Sequence, residues 1–169
     1  MKKTLLAAAV IILLVTAGSA YAATATSQFQ VSASVAANCT ITSTALDFAA
    51  YDPVGTNASN PLNVNGSVSV SCTKGAPITV GLDNGASYGL GPSGATFRAM
   101  LATGSNYLSY QLYQDSAYSK LWGASGTGLV SWTSTSKASH PFTVYGQIPA
   151  GQDVAIGSYK DTITATVNF

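Results

Sequence analysis

Hydrophobic and polar residues alternate with a period of two in short runs along most of this chain. Val64, Val68, Val70 and Cys72 share one parity, and Ile78, Val80 and Leu82 mark a second run. Leu108, Tyr110 and Leu112 alternate with Ser109, Gln111 and Tyr113 in a third. A period of two sends successive side chains to opposite faces, so each run predicts a half-buried strand. Shorter candidates cover residues 97–101, 129–132 and 142–145, the last running on to Ile148. Asp83-Asn84-Gly85 and Asn65-Gly66 predict turns, because Asn-Gly adopts positive φ at little cost. No long stretch has helical periodicity, and no linker divides the chain. About seven to nine short strands in one domain predict an all-β sandwich.

The two ends carry the clearest alternation. Tyr159, Asp161, Ile163, Ala165, Val167 and Phe169 fall on one face, with Lys160, Thr162, Thr164, Thr166 and Asn168 on the other. The first face is apolar apart from Asp161. Chain ends usually fray, so an apolar last residue predicts a strand that runs to Phe169 and docks there. Near the other end, Phe29, Val31, Ala33 and Val35 alternate with Gln28, Gln30, Ser32 and Ser34. Such a segment suits β-augmentation, in which main-chain bonds give affinity and alternate side chains give register.

The first residues predict export. Lys2 and Lys3, an apolar run over residues 5–15 and the Ala20-Tyr21-Ala22 triplet read as a secretory signal peptide over residues 1–22. The apolar run is too short to span a bilayer. Cleavage after Ala22 leaves 147 residues, enough for one domain with a real core. Without Lys2 and Lys3, five basic residues face six Asp and no Glu, a net charge of −1. That balance gives no electrostatic footprint for nucleic acid. Cys39 and Cys72 are the only cysteines. In an exported chain such a pair fits one structural disulfide, worth roughly 3–4 kcal/mol in the chain-entropy model. The rival readings, a two-ligand metal site or a redox pair, lack C-x-x-C spacing and a neighbouring His.

Candidate chemistry is thin. Gly89, Gly91 and Gly94 match the letters G-x-G-x-x-G, but no helical pattern follows Pro92, so a surface loop is expected. His140 is the only histidine, without a G-x-S-x-G elbow elsewhere, and reads as a solvated loop residue before a strand. No catalytic set, metal site or cofactor is expected. Tyr107, Tyr113, Tyr118 and Trp122 read as the lining of a strand face, with Tyr110 in the core between Leu108 and Leu112. A sugar-binding patch is the alternative there.

Several segments in order resemble a known family. They are Leu46-Asp-Phe-Ala-Ala-Tyr-Asp-Pro53, Val68-Ser-Val-Ser-Cys-Thr-Lys-Gly75 with Ile78-Thr-Val-Gly-Leu-Asp83, Tyr110-Gln-Leu-Tyr-Gln-Asp115 with Leu121-Trp-Gly123, Tyr145-Gly-Gln-Ile-Pro-Ala-Gly151, and Gly157 through Phe169. Together they are similar to the spore coat protein U domain, a family that includes pilins of archaic (Csu-type) chaperone–usher systems. The match is most like the major, single-domain subunit.

The resemblance implies an incomplete immunoglobulin-like β-sandwich, completed by a donor strand from a neighbouring subunit. It divides the chain into a signal peptide at 1–22, a donor-strand extension at 23–36 and the pilin domain at 37–169. Phe29, Val31, Ala33 and Val35 would enter a neighbour's groove. Tyr159, Ile163, Ala165, Val167 and Phe169 would border the chain's own groove and meet the chaperone. The family's disulfide maps to Cys39 and Cys72. Implied partners are a periplasmic pilus chaperone, an outer-membrane usher and identical or related pilin subunits joined head to tail. The expected function is non-enzymatic: a structural subunit, exported through the periplasm, of a cell-surface pilus that supports adhesion and biofilm formation. A self-complemented secreted adhesin, or a spore or cyst coat protein of the same fold, is the alternative.

Overall fold

The computed structural model describes residues 22–169. All but the last residue of the expected signal peptide lie outside that range. Residues 22–34 are not part of the compact unit Val35–Phe169.

The compact unit has eight strands: β1 (Cys39–Thr44), β2 (Leu62–Cys72), β3 (Pro77–Leu82), β4 (Arg98–Ala102), β5 (Asn106–Tyr113), β6 (Val130–Thr133), β7 (His140–Ile148) and β8 (Ala165–Asn168). They form two antiparallel sheets, a five-stranded one in the order β1-β2-β7-β5-β4 and a three-stranded one in the order β6-β3-β8. The predicted parities fill the space between the sheets. Val68, Val70 and Cys72 of β2, Ile78, Val80 and Leu82 of β3, and Leu108, Tyr110 and Leu112 of β5 are all buried in one core. The fold is an immunoglobulin-like β-sandwich.

Trp122 belongs to that core, at 1% exposure, rather than to a strand face. Its indole N–H donates to the Val80 carbonyl at 3.0 Å, which gives the buried polar edge a partner. His140 is the first residue of β7 and not a loop residue; its ring stacks on Trp132 with centroids 4.3 Å apart.

Two turn expectations had different outcomes. The chain leaves β3 at Leu82, and Gly85 takes φ 72°. Asn65-Gly66 lies instead inside β2, paired with Tyr145 and Val144 of β7. Gly66 is there for close approach: a Cβ would sit 3.2 Å from Leu46 Cδ1.

Strand β1 has only Cys39 and Ile41 as inward apolar residues, and its alternation is too short to stand out in the sequence. The sulfurs of Cys39 and Cys72 are bonded, and the two residues face each other across the first rung of the β1–β2 ladder.

Candidate functional site

Strands β1 and β8 are the outer strands of their sheets, and each has a ladder on one side only among the described residues. They run close to each other without pairing. A cleft of about 470 Å³ opens between them. Its floor is the core itself, reached through Val68, Leu82, Leu112 and Val144. Leu46 and Met100 add to its walls, and Ser43, Thr44 and Thr162 lie at its margin. A buried apolar floor between two unpaired backbone edges is costly to leave in water, and it can accept one more strand.

The β1 wall is set by two glycines. After β1 the chain leaves the sheet, and Leu46 and Phe48 fold over β2 and β7. A Cβ at Gly146 would lie 2.9 Å from both Leu46 Cδ2 and Phe48 Cζ. The small residues on β2 and β7 therefore let Leu46 lie against the sheet.

The β8 wall is held by side chains before the ladder begins. The Tyr110 hydroxyl donates to Asp161 Oδ2 at 2.8 Å, and the Ala86 amide donates to Asp161 Oδ1 at 3.1 Å. Thr164 N–H donates to Asp83 Oδ1 at 3.0 Å, and Gly85 N–H to the same oxygen at 3.2 Å. Burial and the Asp161 carboxylate hold the Tyr110 hydroxyl in its neutral, donating form, far above the usual phenol range. Burial opposes ionisation of Asp83, but its bonds from Thr164 and Gly85, with nearby Arg98, outweigh that effect and lower its pKa. Asp161, the one polar residue on the apolar face of the C-terminal run, is thus an anchor for the cleft wall.

Arg98, which the sequence reading passed over, is 2% exposed. Its guanidinium donates to the carbonyls of Asp83, Leu82 and Trp122 at 2.9, 3.3 and 2.7 Å, and to Gln111 Oε1 at 3.3 Å. It ties β4 to the end of β3, beside the Asp83 anchor.

The residues expected at the C-terminus divide. Tyr159, Ile163 and Ala165 line the cleft, and Val167 is partly buried against the core. The strand, however, does not run from 159 to the last residue. Regular pairing covers only Ala165–Asn168, with an isolated bridge between Lys160 and Leu101. Phe169 is 58% exposed rather than docked, because it lies beyond the last ladder pair, Thr79 with Asn168. At the other end, residues 22–34 form neither strand nor helix, and all are exposed. Phe29, Val31 and Val35 expose 88, 83 and 84% of their surface, and Ala33 is exposed as well.

Among the described residues no three His, Cys, Asp or Glu come together as a metal cluster. Gly89, Gly91 and Gly94 lie in a loop without a helix. Tyr113, Tyr118 and Tyr145 form an edge-to-face chain with centroids 5.6 and 6.4 Å apart.

The sequence model of the Spore Coat Protein U domain matches residues 25–166. The chain belongs to that family. Protein U of Myxococcus xanthus is 38% identical over 165 residues, covering 92% of this chain and 91% of that protein. Among solved structures, this chain is similar to one in the chaperone–tip adhesion subunit pre-assembly complex CsuC–CsuE, from archaic chaperone-usher Csu pili of Acinetobacter baumannii. The TM-score is 0.53 at 26% identity, over 80% of this chain and 40% of the solved one. The chain thus spans two fifths of that solved chain's length.

Proposed function

We propose that the protein is a structural subunit of a chaperone–usher pilus and polymerises by donor-strand exchange. The observation that carries this is the cleft between β1 and β8, which opens the hydrophobic core at two unpaired strand edges. Family membership and the likeness to a Csu pilus subunit chain support it.

In this reading residues 1–22 are a leader, 23–36 the donor extension and 37–169 the accepting domain. A periplasmic chaperone fills the cleft first. At an outer-membrane usher the extension of the next subunit replaces it, placing Phe29, Val31, Ala33 and Val35 in the cleft. Burying Phe29, Val31 and Val35 contributes roughly 1.5–3 kcal/mol each, before any ladder bonds are counted. Release would expose a core, so the joint is kinetically as well as thermodynamically stable. Donor and acceptor are different surfaces, so the contact does not close on itself and builds a cell-surface fibre. Adhesion and biofilm formation are the uses such a fibre serves. No step calls for a catalytic group.

Deleting residues 23–35 tests this. The expected product is a folded, chaperone-bound subunit that no longer forms the boiling-sensitive ladder of the full chain on denaturing gels. A deletion variant that cannot fold even with its chaperone would favour a self-complemented domain. The family's description also favours a second reading, a spore or cyst coat protein of the same fold. Antibody labelling of spores or cysts against surface fibres separates the two.

A further inference from the structure

The donor extension joins the domain through residues 36–38, just before β1, and the turn after β2 fixes that junction. The Asn38 amide donates to Thr73 Oγ1 at 3.1 Å, and the Thr73 hydroxyl donates to the Ala36 carbonyl at 3.2 Å, with the Asn38 carbonyl as an alternative at 3.4 Å. Thr73 N–H donates to the Asn38 carbonyl at 2.9 Å, one rung beyond the Cys39–Cys72 pair. The turn is itself braced. Gly75 N–H donates to the Ser134 carbonyl at 2.7 Å, and Ser134 N–H donates to the Ala76 carbonyl at 2.9 Å.

These bonds have a direction. They draw residues 36–38 toward the β2 side of β1, and the cleft opens on the other side of β1. For its own extension to enter the cleft beside β1, the chain must reverse within residues 36–38, as a short hairpin. The reversal would take the Ala36 and Asn38 backbone away from Thr73. We propose that Thr73 is a positioning residue that opposes self-insertion of the donor extension and so biases it toward a second copy of this chain. The role rests on the strand-exchange reading above.

Thr73→Val removes the hydroxyl at nearly constant shape, and Thr73→Ser keeps it. Each disulfide-intact protein is unfolded in denaturant, refolded by dilution, and separated into monomer and oligomer. Chymotrypsin cleavage after Phe29 then distinguishes a closed monomer, in which Phe29 is protected, from an open one. Losing one to two hydrogen bonds predicts about a fivefold rise in closed monomer for Thr73→Val. Thr73→Ser should behave as wild type, which a merely structural packing role would not require. A Gly-Asn-Gly insertion between Val35 and Ala36 leaves every Thr73 contact in place but supplies slack for a turn. It should also raise closed monomer, and Thr73→Ala, which likewise lacks the hydroxyl, carries the test if Thr73→Val does not fold. If a folded variant lacking the Thr73 hydroxyl does not raise the closed fraction while wild type polymerises, the role of Thr73 is refuted. If wild type forms no ladder at all, the strand-exchange reading fails, and this inference falls with it.

Discussion

The side-chain amide of Gln152 makes with Ser109 the two hydrogen bonds that a strand residue would make. Ser109 N–H donates to Gln152 Oε1 at 2.8 Å, and Gln152 Nε2 donates to the Ser109 carbonyl at 2.9 Å. Pairing of β5 with β7 covers only Gln111–Tyr113, and two residues beyond Gln147 the β7 chain reaches Pro149, which has no N–H to donate. Gln152 fills that gap, and the Tyr51 hydroxyl fixes it by accepting the Gln152 N–H at 3.0 Å.

Gln152→Leu should therefore cost more than an ordinary loop substitution. Ser109 is fully buried, so its backbone N–H and carbonyl would both lose a partner. A loss of about 2–4 kcal/mol is expected, read as a lower urea midpoint at constant slope. An unchanged midpoint would mean that the strand end satisfies itself without Gln152.

Arg98 makes a parallel case. Its guanidinium meets three carbonyls and an amide oxygen, and among the described residues no carboxylate is a hydrogen-bond partner. Replacing a buried ion pair with apolar residues is often harmless, but here the partners are carbonyls that stay behind. Arg98→Met should destabilise by about 2–4 kcal/mol, and Arg98→Lys by a similar amount, since one ammonium cannot reach all four acceptors. Thermal unfolding followed through tryptophan fluorescence checks both; a neutral Arg98→Met would contradict the reading.

The inward faces of β2, β3 and β5 were legible because hydrophobic alternation reports burial directly. Val68, Val80 and Tyr110 are where their parity puts them. Alternation says nothing about which strand edges are paired, so the ladder of β8 shrank to Ala165–Asn168 while its facing pattern held. Asn65-Gly66 predicts a turn yet lies in β2, because a glycine serving close approach carries the same letters as a turn glycine. The cleft was legible only through family likeness. Its two walls, Leu46 and the Asp161 anchor, are far apart in sequence and meet only in the folded sandwich.

Acid should loosen the β8 wall. Burial alone would raise the Asp83 pKa, yet its bonds from Thr164 and Gly85, with Arg98 nearby, leave it below the usual carboxylate value. A folded pKa below the unfolded one means that Asp83 binds its proton less readily when folded. Its contribution to stability is complete above about pH 4 and is lost as pH falls through the folded value. Asp83→Asn should lower stability at pH 6 but narrow the gap from wild type at pH 3. Urea midpoints at both values decide it, and a gap that widens in acid would reverse the sign of the effect.

The glycines under Leu46 offer a test of the cleft that leaves its polar anchors alone. A methyl at Gly146 would stand 2.9 Å from Leu46 Cδ2 and from Phe48 Cζ, whereas one at Gly66 would meet only Leu46, at 3.2 Å. Both side chains must shift for Gly146→Ala, and Phe48 is buried, so overpacking of about 1–3 kcal/mol is expected. Gly66→Ala asks for a few tenths of an ångström from a partly buried leucine and should cost less. On the proposed strand exchange, displacing Leu46 changes the shape that a donor strand must fill, so Gly146→Ala should also lower the temperature at which the subunit ladder dissociates. The two readouts should rank alike, with Gly146→Ala the more severe in each. If Gly146→Ala weakens the isolated domain but leaves the joint between subunits untouched, Leu46 is not part of the surface that receives the strand.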